Sequence, residues 1–265
     1  MGRNDTRAFA RLHVLLARDA HTGVVLRRGP TQKVCVIEWD RRADTFKLGQ
    51  WYRGRIYYEK CDISPDGEHW LYFALNGKTH EETRGSYTVL ARTPYLKALG
   101  LWPCGGTWGG GGLFSKQGEY WPFSDEPLVV PPERPRVSSD FLRSEGWYFG
   151  ANQFSRMVRD GWSLVTRPKW GDEPSVYVLE RPVFESWVLR CECHSRREAF
   201  ELRYTPSGRV IKLPNWEWAD LDRERLVWAS NGCLWSARLD SSGLLDPKLI
   251  GDFNDMVFHR TRAPY

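Results

Sequence analysis

Three stretches of this chain carry residue types that could do chemistry. Cys191-Glu192-Cys193-His194 gathers two thiols and an imidazole in four positions, all ligand types for zinc. A structural zinc centre needs four ligands, usually from two such halves, and the sequence offers no second half. In a strand, Cys191 and Cys193 would project from one face, as paired core residues do, so the motif reads as core and no metal or other cofactor is expected. The stretch from Trp102 to Gly112, WPCGGTWGGGG, lacks the Gly-Lys-Ser/Thr of a phosphate loop and precedes no helical pattern. It reads either as a glycine-rich sheet edge with tryptophan in the core, or as a loop that carries Trp102 and Trp108 to a ligand face. Asp62, Asp140 and Asp220 recur before similar aromatic segments. Such carboxylates could ring a channel and cleave a glycosidic bond, or they could accept backbone hydrogen bonds at the same point of each repeat; repetition favours the structural role. The six histidines are scattered and Gly-x-Ser-x-Gly is absent, so no nucleophile and base can be paired.

The elements that must position these residues read as strands. Runs such as KVCVIEWD (33–40), HWLYFAL (69–75), SYTVLAR (86–92), SVYVLE (175–180), EAFELRY (198–204) and RLVWA (225–229) are short, β-branched and aromatic. Turn chemistry separates them, including Pro65-Asp66-Gly67, Asn76-Gly77, Pro206-Ser207-Gly208 and Asn231-Gly232, where glycine supplies the positive φ of a tight hairpin. No window sustains apolar residues at helical spacing over eleven or more positions, so the chain is expected to be nearly free of helix and its sheets antiparallel.

A degenerate repeat organises the strands. Cys61-Asp62-Ile63 leads through a turn into Trp70 to Ala74, and Ala219-Asp220-Leu221 leads through a shorter turn into Leu226 to Ala229, with a weaker copy from Asp140 to Gly150. The copies start about 80 residues apart, twice the length of a propeller blade. The segment Ile63-Ser64-Pro65-Asp66-Gly67 before an aromatic strand resembles the Ser-Pro-Asp-Gly turn of TolB-type and Trp-Asp-repeat β-propeller blades, and the stretch from Gly23 to Ala74 reads like uncharacterised bacterial propeller-like proteins. The expected fold is therefore all-β: one β-propeller of five or six four-stranded blades over residues 1–265, its ring closed by pairing of N- and C-terminal strands, with a β-sandwich as the alternative.

Composition narrows the function. The 38 basic and 33 acidic residues are intermixed, giving a net charge of +5 without the clustered basic face of a nucleic-acid binder. The apolar run Leu12 to Ala17 is too short for a signal core or a membrane span, and six irregularly spaced cysteines suit reduced thiols, so a cytoplasmic location and no membrane partner are expected. With no catalytic constellation, the chain reads as a non-enzymatic binding or scaffolding module that presents loops to a protein partner. The alternatives are a glycan-binding lectin, using Trp102, Trp108 or Trp121, and a glycoside-directed hydrolase or lyase using channel carboxylates.

Overall fold

The computed structural model describes residues 9–29, 32–124, 126–132, 151–169, 175–184, 186–194 and 197–265. Asp140 and the weak repeat copy around it lie outside these residues. The described chain forms successive antiparallel meanders, each strand beside the next in sequence. The first sheet comprises β1 (Arg11–Leu16), β2 (Thr22–Arg28), β3 (Lys33–Asp40) and β4 (Thr45–Arg53). The second comprises β5 (Arg55–Ile56), β6 (Asp62–Ile63), β7 (His69–Leu75), β8 (Ser86–Arg92) and β9 (Ala98–Pro103). β5 and β6 share one edge of β7, split by a 3-10 turn at Tyr58–Lys60, so this sheet too is four strands wide. A hairpin of β10 (Gly112–Phe114) and β11 (Tyr120–Pro122) follows, then helix α1 (Ala151–Arg159). The third sheet runs from β12 (Ser163–Thr166) through β13 (Tyr177–Val183), β14 (Trp187–Cys193) and β15 (Glu198–Tyr204) to β16 (Arg209–Leu213). The fourth consists of β17 (Trp218–Asp222), β18 (Arg225–Ser230), β19 (Cys233–Asp240) and β20 (Gly243–Asp252).

Side-chain alternation shows how the sheets meet. In the first sheet Leu15, Val24, Leu26, Val34 and Val36 face one way and pack on Ile63, Trp70 and Tyr72 of the second. Their neighbours Leu12, Val14, Val25, Cys35 and Ile37 face the other way and pack on Trp218, Val227 and Leu234 of the fourth. Leu71, Leu90 and Trp102 then join the second sheet to Phe114 and Tyr120 of the hairpin, and Leu189, Leu202, Leu226 and Trp228 join the third sheet to the fourth. Central strands buried on both faces account for the continuous apolar runs in the sequence. A sandwich would bury one face of each sheet against a single core, whereas here sheets one, two and four bury both faces, which excludes it. The arrangement is a β-propeller with four blades rather than five or six. The sector between the second and third blades is filled by the hairpin and α1, with Phe154 stacked 4.3 Å from Tyr177.

The helix is a departure from the expected helix-free chain. Its buried face carries Gln153 and Arg156, so a search for apolar periodicity passes over it. Among the described residues β1 pairs with β2 and β20 with β19, and strand β20 stops at Asp252. Beyond β20 the Arg27 guanidinium donates to the carbonyls of Phe253 (3.0 Å) and Asn254 (2.9 Å), and the Asn254 side chain accepts from Ala10 N–H at 3.0 Å.

All six cysteines are free thiols, and Cys35, Cys61, Cys191 and Cys193 are buried. Burial pushes Cys35 and Cys61 each up to about 12. We expect iodoacetamide to label Cys104 and Cys233 in the native protein and the other four only on unfolding. Early labelling of Cys35 or Cys61 in a peptide map would contradict the packing.

Candidate functional site

Two places hold polar chemistry: the glycine-rich loop after β9 and the cavity at the centre of the ring. The loop is tied down along its length. Cys104 N–H donates to Ser86 O at 2.9 Å, Ser86 Oγ to Gly106 O at 2.7 Å, and Gly110 N–H to Phe123 O at 3.0 Å. From below, the Lys60 ammonium donates to the carbonyls of Thr107 (2.7 Å), Trp108 (3.3 Å) and Gly109 (2.5 Å). Burial lowers the Lys60 pKa, and its charge also sits 4.7 Å from the Phe73 ring centre. The glycines are required by this geometry. Gly110 has φ +77° and a Cβ there would lie 2.4 Å from Phe73, while Gly111 has φ +85° and would place a Cβ 2.6 Å from the Lys60 carbonyl. At the apex stands Trp108, 85% exposed, the one exposed tryptophan among the described residues.

The sequence grouped Trp102, Trp108 and Trp121 as ligand-facing, and the structure separates them. Trp102 is fully buried in β9, edge-on to Tyr120 at 6.3 Å, and belongs to the core because β9 turns that face toward the hairpin. Trp121 is half-buried on β11, tilted against Phe123. Cys191 and Cys193 do face one side of β14, with sulfurs 3.3 Å apart, inside the core between the third and fourth blades. Among the described residues no group of three or more His, Cys, Asp and Glu is placed to hold a metal ion. No described helix is long and apolar enough to cross a membrane.

The repeat aspartates form matching arrangements. Asp62 Oδ1 accepts from the next backbone N–H, Ile63, at 2.9 Å, and Asp220 Oδ1 does the same with Leu221 at 2.8 Å. Each then meets an arginine, Arg159 of α1 for Asp62 and Arg181 of β13 for Asp220. The Asp62 pair is the tighter one. Arg159 grips both carboxylate oxygens, Phe114 N–H adds a bond of 2.7 Å, and no part of Asp62 is exposed. A carboxylate holding two backbone and two guanidinium donors has no lone pair left for a substrate.

The central cavity, about 300 Å³, opens between the turn after β1, the face of α1 and the start of β17. Asp19, His21 and Arg223 are exposed at its rim, while His13, Gln153 and Arg156 line it from buried positions. Three of its arginines are matched: Arg18 donates to Asp160 and Arg41 to Asp222, each at 2.8 Å, and Arg181 meets Asp220. Burial acts to raise the Asp160 carboxyl, but hydrogen bonds and charge from Arg159 and Arg18 outweigh it and hold the pKa below the usual range. Burial raises Asp220, with Arg181 opposing.

Deeper in, Arg156 donates to the carbonyls of Tyr58 (3.2 Å) and Cys61 and, at 3.3 Å, to His13 Nε2. Because guanidinium only donates, His13 is the neutral tautomer that carries its proton on Nδ1. Burial first, and then the charges of Arg156 and Arg28, keep its pKa well below the ordinary value. Beside it Glu198 accepts from Gln153 Nε2 at 2.5 Å, and burial raises its carboxyl to about 7. Neither His13, Arg156 nor Glu198 is marked by any sequence motif. The spacing of Arg156 and Arg159 on a short helix was the one available sign.

No protein-family model matches the sequence, and no curated protein does. Among solved structures, the β-propeller domain of Cps50 (Swd1) from Myceliophteria thermophila aligns with 96% of this chain over 75% of its own, at 11% identity and a TM-score of 0.22. Sheet order and the cores between successive blades define the propeller.

Proposed function

We propose that the chain is a non-enzymatic binding module that docks a protein partner through the loop 104–111, with Trp108 as the anchor. One observation carries this reading: a large indole stands exposed on a loop hydrogen-bonded to Lys60, Ser86 and Phe123. Tryptophan is strongly favoured at the energetic centre of protein interfaces, and a preordered loop loses little entropy on docking. A lectin would call for several equivalent exposed tryptophans, and Trp102 and Trp121 do not supply them. A hydrolase reading is disfavoured by the engagement of Asp62 and Asp220 with arginines. A cytoplasmic location goes with this proposal and suits six free thiols.

Trp108→Ala is expected to leave thermal stability within about 0.5 kcal/mol of wild type, as for other exposed side chains, and to abolish partner capture. Affinity capture with both baits checks this. Identical sets of retained proteins, or retention only of glycans, would overturn the proposal.

A further inference from the structure

We propose that the central cavity is a binding site for a small anion bearing a carboxylate or phosphoryl group, held by Arg156 and His13 from one side and by Arg223 at the rim from the other. Charge balance is the first reason. Arg156 is 6% exposed, yet its partners are two carbonyls and a neutral imidazole, and among the described residues no carboxylate lies within the 4.0 Å of an ion pair. A buried cation without a counterion is costly, and an anion entering the cavity would relieve it. Donor supply is the second. His13 Nδ1–H and Arg41 Nε–H belong to side chains more than nine-tenths buried, both residues line the cavity, and neither atom has a hydrogen-bond partner. Unmet donors around one cavity call for an acceptor-rich ligand. The rim adds the exposed Arg223 beside the exposed Asp19, while Arg18 and Arg181 are already paired with Asp160 and Asp220. A cavity of about 300 Å³ admits a small metabolite and excludes a peptide or an oligosaccharide. The neighbouring Glu198 sets a sign: its charged form opposes the anion, so removing that charge must strengthen binding.

Isothermal titration of the full chain with inorganic phosphate, succinate and the neutral succinamide tests the site and is independent of the Trp108 loop. Saturable binding of phosphate or succinate at millimolar concentration or below is expected, without binding of succinamide. The stronger of the two arms identifies the head group. At pH 8, where Glu198 carries its charge, Glu198→Gln should tighten binding about threefold to tenfold, and Arg156→Gln should weaken it at least about tenfold. If Arg156→Gln fails to fold, Glu198→Gln alone decides, since it keeps the contact with Gln153. Failure of both anions to bind the intact protein, binding of succinamide at equal strength, or affinity unchanged by Glu198→Gln would each overturn the assignment.

Discussion

Asp62→Asn is expected to lower the free energy of unfolding by about 3–5 kcal/mol, the range for breaking a buried ion pair from one side. The substitution is nearly isosteric, so the loss comes from charge and donor count. Asp62 is wholly buried and ties three elements together: its own strand through Ile63 N–H, the hairpin through Phe114 N–H, and α1 through both terminal nitrogens of Arg159. An amide keeps one acceptor oxygen and turns its nitrogen toward donors. In either flip that nitrogen would face the guanidinium together with Ile63 N–H or Phe114 N–H, with no lone pair to offer. The Arg159 side chain is 5% exposed and would keep only Asp160 as a counterion. Asp220→Asn provides the contrast. Its carboxylate is 17% exposed at the cavity and holds one backbone N–H and one arginine, so a cost of about 1 kcal/mol is expected. Urea unfolding of the two variants beside wild type makes the comparison. A smaller loss in Asp62→Asn than in Asp220→Asn would mean that α1 is not held through Asp62.

That pair of aspartates also shows what could be read from the residues. The repeated small-Asp-aliphatic pattern located equivalent positions at Asp62 and Asp220, because each caps the following N–H within its own two-residue segment. Local bonds of this kind leave a local signature. The arginines that complete them come from 97 and 39 positions away, and no spacing rule connects them. The strands were legible for the same reason as the turns, since period-two burial and Asn-Gly or Asp-Gly chemistry are properties of short windows. Blade count was not. The copies lie about 80 residues apart and read as two blades each, but the third sheet uses five strands and one sector uses a hairpin and a helix, so dividing length by blade length overcounts. The tryptophans of 102–112 were ambiguous because exposure is a tertiary property. β9 sends Trp102 into a core six residues before the apex of the loop lifts Trp108 out of one.

Glu198→Gln is expected to flatten the fall in stability that wild type shows as pH rises from about 4.5 to about 7. The sign follows from which state binds the proton. Unfolded, the carboxyl titrates near the ordinary glutamate value of about 4.3; folded, burial raises it to about 7. Between those values the folded chain holds a proton that the unfolded chain has released, so raising the pH favours unfolding throughout that window and has no further effect above it. Two and a half units would correspond to about 3 kcal/mol, and the partial exposure of Glu198 reduces the expected loss to about 2 kcal/mol. The groups facing it decide how firm the shift is. Gln153 donates from α1 and lowers the pKa, Arg156 and Arg28 lower it through their charge, and Glu59 raises it. His13 stays neutral because its own pKa lies well below the ordinary histidine value, and Tyr58 is held neutral by burial, so neither cancels the effect in this range. The carboxyls that ion pairs and hydrogen bonds hold low, Asp160 and Glu201 among them, are common to both proteins and cancel in the comparison. The difference between the urea stabilities of wild type and Glu198→Gln, measured from pH 4.5 to 8, therefore reports Glu198. It should grow in favour of the variant up to about pH 7 and then level off. A difference that is constant with pH would place Glu198 in contact with bulk water and remove it from the floor of the cavity.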